Sequence, residues 1–242
     1  DDFRPEVHDS DGLMVATGEG EWLWRPLQNP RQVLVTSFAT TNPKGFGLMQ
    51  RDRQWSSYED VEARYERRPS AWVRPLHPWG PGRVELVQLP TPDETHDNVV
   101  AYWVPQQLPA PGTPLEVSYE LAWQGDGQQR PPSAWATQSR KGVGYTQQSA
   151  EALRTQVQYV VDFTGPALHD LKADAPVKAV VTSDANGRVL ESGVYRNPAT
   201  GQWRMTLRVE RLRKDQPIEL RAFLQHLQHA VSETWTHVIL PE

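Results

Sequence analysis

Short segments in which apolar and polar residues alternate dominate the chain, and the 3.6-residue periodicity of helices is scarce. Such alternation, rich in β-branched residues, is typical of half-buried strands. It predicts strands over 31–38, 83–89, 99–104, 115–123, 156–163, 177–182, 188–195, 202–209, 218–224 and 234–240. Brief helices are predicted only at 58–65 and 149–154. We therefore predict an all-β protein.

Proline and glycine residues divide the predicted strands into two groups. They recur between residues 105 and 132, and we interpret the stretch after 124 as a linker. The predicted organisation is a first domain over 1–124, a linker over 125–145 and a second domain over 146–242. The second domain has six or seven regularly spaced strands, as in an immunoglobulin-like sandwich, although the cysteine pair of antibody domains is absent. Asn186-Gly187 predicts a hairpin within it.

Composition excludes several classes of function. The chain has no cysteine, which excludes disulfides, a thiolate nucleophile and a thiolate zinc site. The net charge is -5 and glutamates interleave with the arginines of 64–68, which argues against nucleic-acid binding. No apolar run approaches roughly 20 residues, so no membrane-spanning helix is predicted. Serine-hydrolase, zincin and phosphate-loop motifs are absent, and we predict no cofactor.

Two acidic clusters are the strongest candidates for chemistry: one over residues 6–11 and one over 93–97. Paired carboxylates together with aromatic platforms are typical of sites that cleave sugars. Asp97 precedes a predicted strand, and as a general acid it would need a raised pKa, which partial burial near Trp103 or another carboxylate could supply. Asp93 and Glu94 are competing candidates.

Each cluster also has a structural interpretation. Asp97 is equally typical of a residue that begins a strand. The first cluster resembles a turn held by side-chain hydrogen bonds. A metal site built from His8, Asp9, Asp11, His96 and Asp97 is disfavoured because the ligand spacing matches no known motif.

Ten tryptophans provide candidate binding surfaces, and we expect about half of them to lie in the core. Trp24, Trp55 and Trp79 have polar neighbours in the sequence and are the candidates for contact with a ligand. The glycine-punctuated segment 42–53 predicts a loop that closes over a cleft or contacts another subunit. Its arginines, Arg51 and Arg53, either donate to sugar hydroxyls or pair with neighbouring carboxylates.

Long blocks of sequence resemble one family. They are FRPEVHDSDGL at 3–13, GEWLWRPL at 20–27, GFGLMQRDR at 45–53, EARYERRPS at 62–70, DNVVA at 97–101 and the segment from LRA at 220 to SETW at 232–235. These blocks resemble the periplasmic glucan biosynthesis proteins G and D of Gram-negative bacteria, and they run over almost the whole chain.

The resemblance implies the C-terminal part of a large, galactose mutarotase-like β-sandwich followed by an immunoglobulin-like domain. It implies a periplasmic enzyme that hydrolyses or transfers β-1,2-glucan with inversion. Asp97 would be the general acid and Asp9 the distant base, with Tyr65 relaying the proton from water. Inversion suits carboxyl groups roughly 6.5–9.5 Å apart or more.

The expected substrate-binding residues are His8, Asp11, Trp24, Arg51 and Trp55. The expected partner is the β-1,2-glucan polysaccharide. The 45–53 segment either closes over the cleft or reaches a second subunit, and in the second case the protein would form a homodimer. The alternatives are a non-catalytic module that guides the nascent glucan and a structural partner of the membrane glucan synthase.

Overall fold

The computed structural model describes residues 3–93, 95–144 and 149–241, and strands make up most of its regular structure. The described helices are short: α1 (Trp55–Tyr58), a 3-10 turn (Tyr65–Arg67), α2 (Ala150–Thr155) and α3 (Pro166–His169). No described helix has the length and apolar character needed to cross a membrane. The chain divides into two compact units, Asp1–Gln129 and Arg130–Glu242. The predicted all-β class is confirmed.

The first unit is built from two antiparallel sheets. One has the order β2-β1-β4-β5-β8 and the other the order β3-β6-β7. Their strands are β1 (Gly12–Ala16), β2 (Trp22–Pro26), β3 (Leu34–Thr41), β4 (Gly45–Met49), β5 (Ser70–Pro75), β6 (Pro81–Gln88), β7 (Val99–Pro105) and β8 (Tyr119–Gln124).

The core of the first unit lies between these two sheets. Leu13 and Phe46 of the larger sheet pack against Phe38, Val84 and Leu86 of the smaller one. Successive side chains of a strand point to opposite faces, so each sheet contributes alternate residues to this layer. The arrangement is a β-sandwich, as the sequence predicts.

The glycine-rich segment is a buried strand, and its prediction as a mobile loop is wrong for Gly45–Met49. A Cβ at Gly47 would lie 1.9 Å from the carbonyl oxygen of Ala71 on the neighbouring strand, and one at Gly45 would lie 2.3 Å from the ring of Trp72. Glycine therefore permits close approach of backbone and tryptophan. Because glycine adds nothing to an apolar count, the alternation of this strand is hidden in the sequence.

The second unit also has two sheets. The orders are β12-β13-β10-β9 and β11-β14-β16, with β15 on the edge of β14. The strands are β9 (Trp135–Gly142), β10 (Gln156–Thr164), β11 (Val177–Ser183), β12 (Gly187–Arg196), β13 (Trp203–Arg211), β14 (Ile218–His226), β15 (His229–Ala230) and β16 (Thr234–Ile239). Tyr159 packs on Trp235, with ring centroids 5.6 Å apart.

Two predicted features of the second unit differ from the structure. Strand β9 lies inside the predicted linker and pairs with β10, so the unit begins near Arg130; the predicted boundary at 145/146 falls outside the described residues. The Asn186-Gly187 turn joins β11 and β12, which belong to different sheets, so it does not form the predicted hairpin. Asp184 makes this turn by accepting hydrogen bonds from the amides of Asn186 and Glu219.

The predicted helices met different outcomes. α2 is present, and its Ser149 Oγ accepts a hydrogen bond from the Ala152 amide as an N-cap. The predicted helix over 58–65 is wrong. Glu59 and Arg64 adopt left-handed conformations there, which interrupts a helix. Asp60 holds the turn between them by accepting hydrogen bonds from the amides of Glu62 and Ala63.

We expect Gly47→Ala to destabilise the protein by roughly 1–3 kcal/mol, because the added methyl group overlaps a backbone carbonyl that cannot move independently of its strand. Urea unfolding measures the change. Gly125→Ala is the matched control, since a Cβ there meets nothing within 4 Å. Equal midpoints for the two variants would contradict this account of β4.

Candidate active site

The two acidic clusters lie at the same end of the first unit. Asp9 and Asp11 precede β1, and Asp97 precedes β7. The segment 27–33 joins the end of β2 to the start of β3, and so passes from one sheet to the other at this end. The position of one cluster relative to the other has no signal in the sequence and follows from the strand topology.

Three consecutive residues, 27–29, connect the two acidic loops by hydrogen bonds. The Leu27 amide donates to the carbonyl oxygen of Asp11 at 2.9 Å. The Gln28 amide donates to Oε1 of the buried Gln88 at 2.8 Å. Asn29 Nδ2 donates to the carbonyl oxygen of Thr91 at 2.7 Å, and its Oδ1 accepts from the Thr91 amide. We call 27–29 the bridging segment.

The bridging segment reaches Asp97 through the base of its loop. The Leu89 amide donates to the carbonyl oxygen of Asn98 at 2.8 Å, and Asn98 Nδ2 donates back to the carbonyl oxygen of Leu89 at 2.9 Å. Residue 97 is therefore next to a closed, hydrogen-bonded loop base. The base of this loop is held relative to the first cluster by backbone groups and by the side chains of Asn29, Gln88 and Asn98.

The carboxyl groups of the second cluster differ in their partners. Asp93 Oδ1 accepts hydrogen bonds from the Thr95 hydroxyl and amide, at 2.6 and 2.9 Å, and lies 3.2 Å from His96 Nδ1. These hydrogen bonds hold the pKa of Asp93 below its usual value. Asp97 is exposed, so partial burial near Trp103, one of the two conditions named for a general acid, is not met. Glu94 lies outside the described residues.

Asp9 and Tyr65 are brought together by Arg68. Arg68 Nε lies 3.2 Å from Asp9 Oδ1, and the guanidinium carbon lies 5.6 Å from the centre of the Tyr65 ring. The Asp9 side chain is 62% exposed, whereas Tyr65 is buried, with 6% of its surface exposed. Two of the predicted catalytic residues therefore share one cation. In the described part of the chain, no hydrogen bond or ion pair connects Asp97 directly to either of them.

Asp11 has a structural task. Its Oδ2 accepts hydrogen bonds from the Arg51 and Asp52 amides, the latter at 2.7 Å, and so ties the start of β1 to the end of β4. Burial raises the pKa of Asp11 despite the attraction of His8 and these two hydrogen bonds. Since Oδ2 is engaged in this way, only Oδ1 of Asp11 remains for the predicted contact with substrate.

His8 lies between two carboxylates. Its Nε2 is 3.0 Å from Glu6 Oε2 and 3.7 Å from Asp11 Oδ1. Burial lowers the pKa of His8, but the hydrogen bond to Glu6 and the charges of Asp11 and Glu6 outweigh it, so the pKa is above 6.5.

Glu6, His8 and Asp11 are also the group of described residues whose ligand atoms lie close enough, within 4.8 Å, to hold a metal ion. His8 Nε2 and Asp11 Oδ2 are already engaged, and an ion pair explains the cluster. We assign no metal.

Two of the predicted substrate-binding residues are buried. Trp24 is 4% exposed and Arg51 is 8% exposed. The Arg51 guanidinium carbon lies 3.5 Å from the centre of the Trp24 ring and covers it. Arg51 therefore closes this face of the Trp24 ring to a sugar, and contact of the pair with substrate stays a prediction.

The exposed candidate among the predicted tryptophans is Trp55. It begins α1 and is 45% exposed. Trp79, in contrast, packs against the core beside Trp103, with ring centroids 5.8 Å apart. Of the three tryptophans with polar neighbours in the sequence, Trp55 is therefore the exposed one. Burial of the others depends on residues from distant strands.

Sequence reasoning missed Arg68, Gln50 and Asn29. Arg68 belongs to an arginine–glutamate run that the charge pattern describes as ion-paired surface. Gln50 and Asn29 carry no charge and follow strands, and neither position has a local signal. Only the paired strands show that these side chains connect separate loops.

The comparisons with known proteins show one family of relatives. The family model described as "Periplasmic glucan biosynthesis protein, MdoG" matches residues 1–239. A "Glucans biosynthesis protein G" of Ralstonia nicotianae is 54% identical over 242 residues, which is 99% of this chain and 48% of the relative. Proteins of the same name from Pseudomonas aeruginosa and Pectobacterium atrosepticum are 48% and 45% identical, over 97% of this chain and 46% of each relative. The chain spans about half the length of these curated relatives.

We expect Glu6→Gln to lower the pKa of His8, because the variant removes a negative charge and the carboxylate that accepts its hydrogen bond. Stability from protonated His8 is fully present below pH about 6.5 and is lost as pH rises through the folded-state pKa. NMR titration of the imidazole measures the shift. Glu62→Gln, at an exposed position, is the control. An unchanged His8 titration in Glu6→Gln would refute the pairing.

Proposed function

The chain belongs to the periplasmic glucan biosynthesis protein (MdoG) family, and from that premise we propose that it cleaves or transfers β-1,2-glucan chains in the periplasm. The reaction inverts the anomeric centre. Asp97 acts as the general acid and Asp9 as the base. This goes beyond the names of the relatives, which specify glucan biosynthesis and neither a linkage nor a reaction.

The bridging segment is the observation that carries this proposal. An inverting glycosidase needs one carboxyl group on each side of the scissile bond, with room for water between the sugar and the base. Asp9 and Asp97 precede strands of two different sheets at one end of the sandwich, and hydrogen bonds through residues 27–29 connect their loops. Two carboxylates held on separate sheets across a common end fit this requirement.

The difference between Asp93 and Asp97 supports Asp97 as the acid. Asp93 is bonded to Thr95 and His96 and is stabilised as the anion, so it is unsuited to deliver a proton. Asp97 is exposed and makes no hydrogen bond or ion pair to another described side chain, so its carboxyl is available to a glycosidic oxygen.

Arg68 suits Asp9 to the role of base. Its guanidinium lies 3.2 Å from Asp9 Oδ1 and holds the carboxylate in place to accept a proton from water. The proton passes to Asp9 by way of the Tyr65 hydroxyl, and the oxygen of water attacks the anomeric carbon as Asp97 protonates the departing oxygen. A sugar hydroxyl in place of water gives transfer instead of hydrolysis. Trp55 offers an exposed aromatic face for a pyranose ring.

We expect Asp97→Asn to reduce the release of reducing ends from linear β-1,2-glucan by about 10²–10⁴-fold, because the amide has no proton to donate to the leaving oxygen. The full-length protein is assayed, with glucan binding measured by calorimetry. Asp93→Asn, on the same loop, is the control and should keep turnover within about twofold.

Each other result has a definite meaning. Equal loss in both variants would show that loop integrity matters and would remove the assignment of Asp97. Wild-type turnover in Asp97→Asn would remove it as well. Glucan binding without new ends or transfer products from the wild-type protein would identify a non-catalytic module, and no binding would identify a structural partner.

A further inference from the structure

Gln50 is a fully buried, uncharged residue at the end of β4, and one side-chain amide group connects three separate parts of the site. Its Nε2 lies 3.1 Å from the carbonyl oxygen of His8, 3.1 Å from that of Tyr65 and 3.0 Å from the hydroxyl of Tyr58. His8 is the residue before Asp9. The amide therefore lies between the backbone that carries Asp9 and the backbone of Tyr65.

The chemistry of these acceptors requires an N–H donor at this point. Carbonyl oxygens only accept, and the Tyr58 hydroxyl donates its own proton to the carbonyl oxygen of Asp52 at 3.1 Å. A carboxylate or an apolar side chain at position 50 would leave two buried carbonyl groups without this donor. The cost of a buried unpaired polar group favours movement of one of the two loops toward water.

The backbone of Gln50 is itself held firmly. Its amide donates to Ser70 Oγ at 2.9 Å, and its carbonyl oxygen accepts from Gln128 Nε2 at 2.8 Å. Ser70 Oγ in turn donates to Gln128 Oε1 at 2.6 Å. The donor between His8 and Tyr65 is thus fixed to β4 and β5, so it provides a rigid reference for both loops.

We propose that Gln50 is a positioning residue that sets the separation of Asp9 and Tyr65 by holding the carbonyl groups of His8 and Tyr65 with one amide. The inference rests on the proposed function for its catalytic consequence. Its structural consequence is independent of any reaction. Gln50 touches no reacting atom, and it acts through the two residues whose backbone it holds.

The test is Gln50→Met in the full-length protein, which keeps the length of the side chain and removes the donor. We expect kcat on linear β-1,2-glucan to fall about 10–100-fold with KM changed less than about threefold, because misplacement by about 1 Å impairs the reaction more than binding. In a Tyr65→Phe background the same substitution should lower kcat less than about threefold, because the relay it positions is already lost.

Ser232→Ala is the control variant. It removes a buried hydroxyl that accepts from the Leu224 amide and donates to the carbonyl oxygen of Glu233 in the second unit. It should leave kcat within about twofold. Thermal melts establish that each variant is folded at the assay temperature. Gln50→Asn, which keeps the donor on a shorter stem, should recover part of the lost kcat.

Hydrogen exchange separates failure of this inference from failure of the proposed function. Gln50→Met should speed amide exchange in residues 4–11 and 59–68, and Ser232→Ala should not. Should the wild-type protein show no turnover, the proposed function fails and exchange alone decides the positioning role. Unchanged exchange in both segments, or equal loss of kcat in Gln50→Met and Ser232→Ala, would overturn it.

Discussion

Polar groups of the backbone that become buried at one end of the first sandwich have to find hydrogen-bond partners, and the way they do so determines where the acidic loops lie. Gln50 supplies a donor for the His8 and Tyr65 carbonyls, and Gln88 supplies an acceptor for the Gln28 amide. Both glutamines are fully buried and follow or end a strand. The loops of the site are therefore extensions of the sheets rather than independent surface segments.

Carboxylates of the same kind acquire different tasks from these partners. Asp11 accepts hydrogen bonds from two backbone amides and joins β1 to β4, and Asp93 accepts hydrogen bonds from Thr95 within its own loop. Asp9 keeps an exposed carboxylate beside Arg68, and Asp97 remains open to solvent. Asp11 and Asp93 are thus distinguished from Asp9 and Asp97 by the hydrogen bonds that they accept. This distinction supports the proposed catalytic roles of Asp9 and Asp97.

Strands β13 and β14 of the second unit were predictable from the sequence because each alternates cleanly and buries one face. Strand β4 was not, since Gly45 and Gly47 stand where a neighbouring strand and Trp72 approach too closely for a side chain. Contact with a distant part of the chain also explains the burial of Trp24. It has polar neighbours in the sequence, but Arg51, 27 positions later, covers its ring. Contacts of that range leave no local signal.

The crystal structure of full-length Asp97→Asn with a linear β-1,2-glucan oligosaccharide tests the central claim most directly. The account predicts one glycosidic oxygen within about 3 Å of the side chain at position 97, with Asp9 across the opposite face of the adjoining sugar and a water between them. An oligosaccharide bound with its linkages away from position 97, or with both side chains on one face of the sugar, would contradict it.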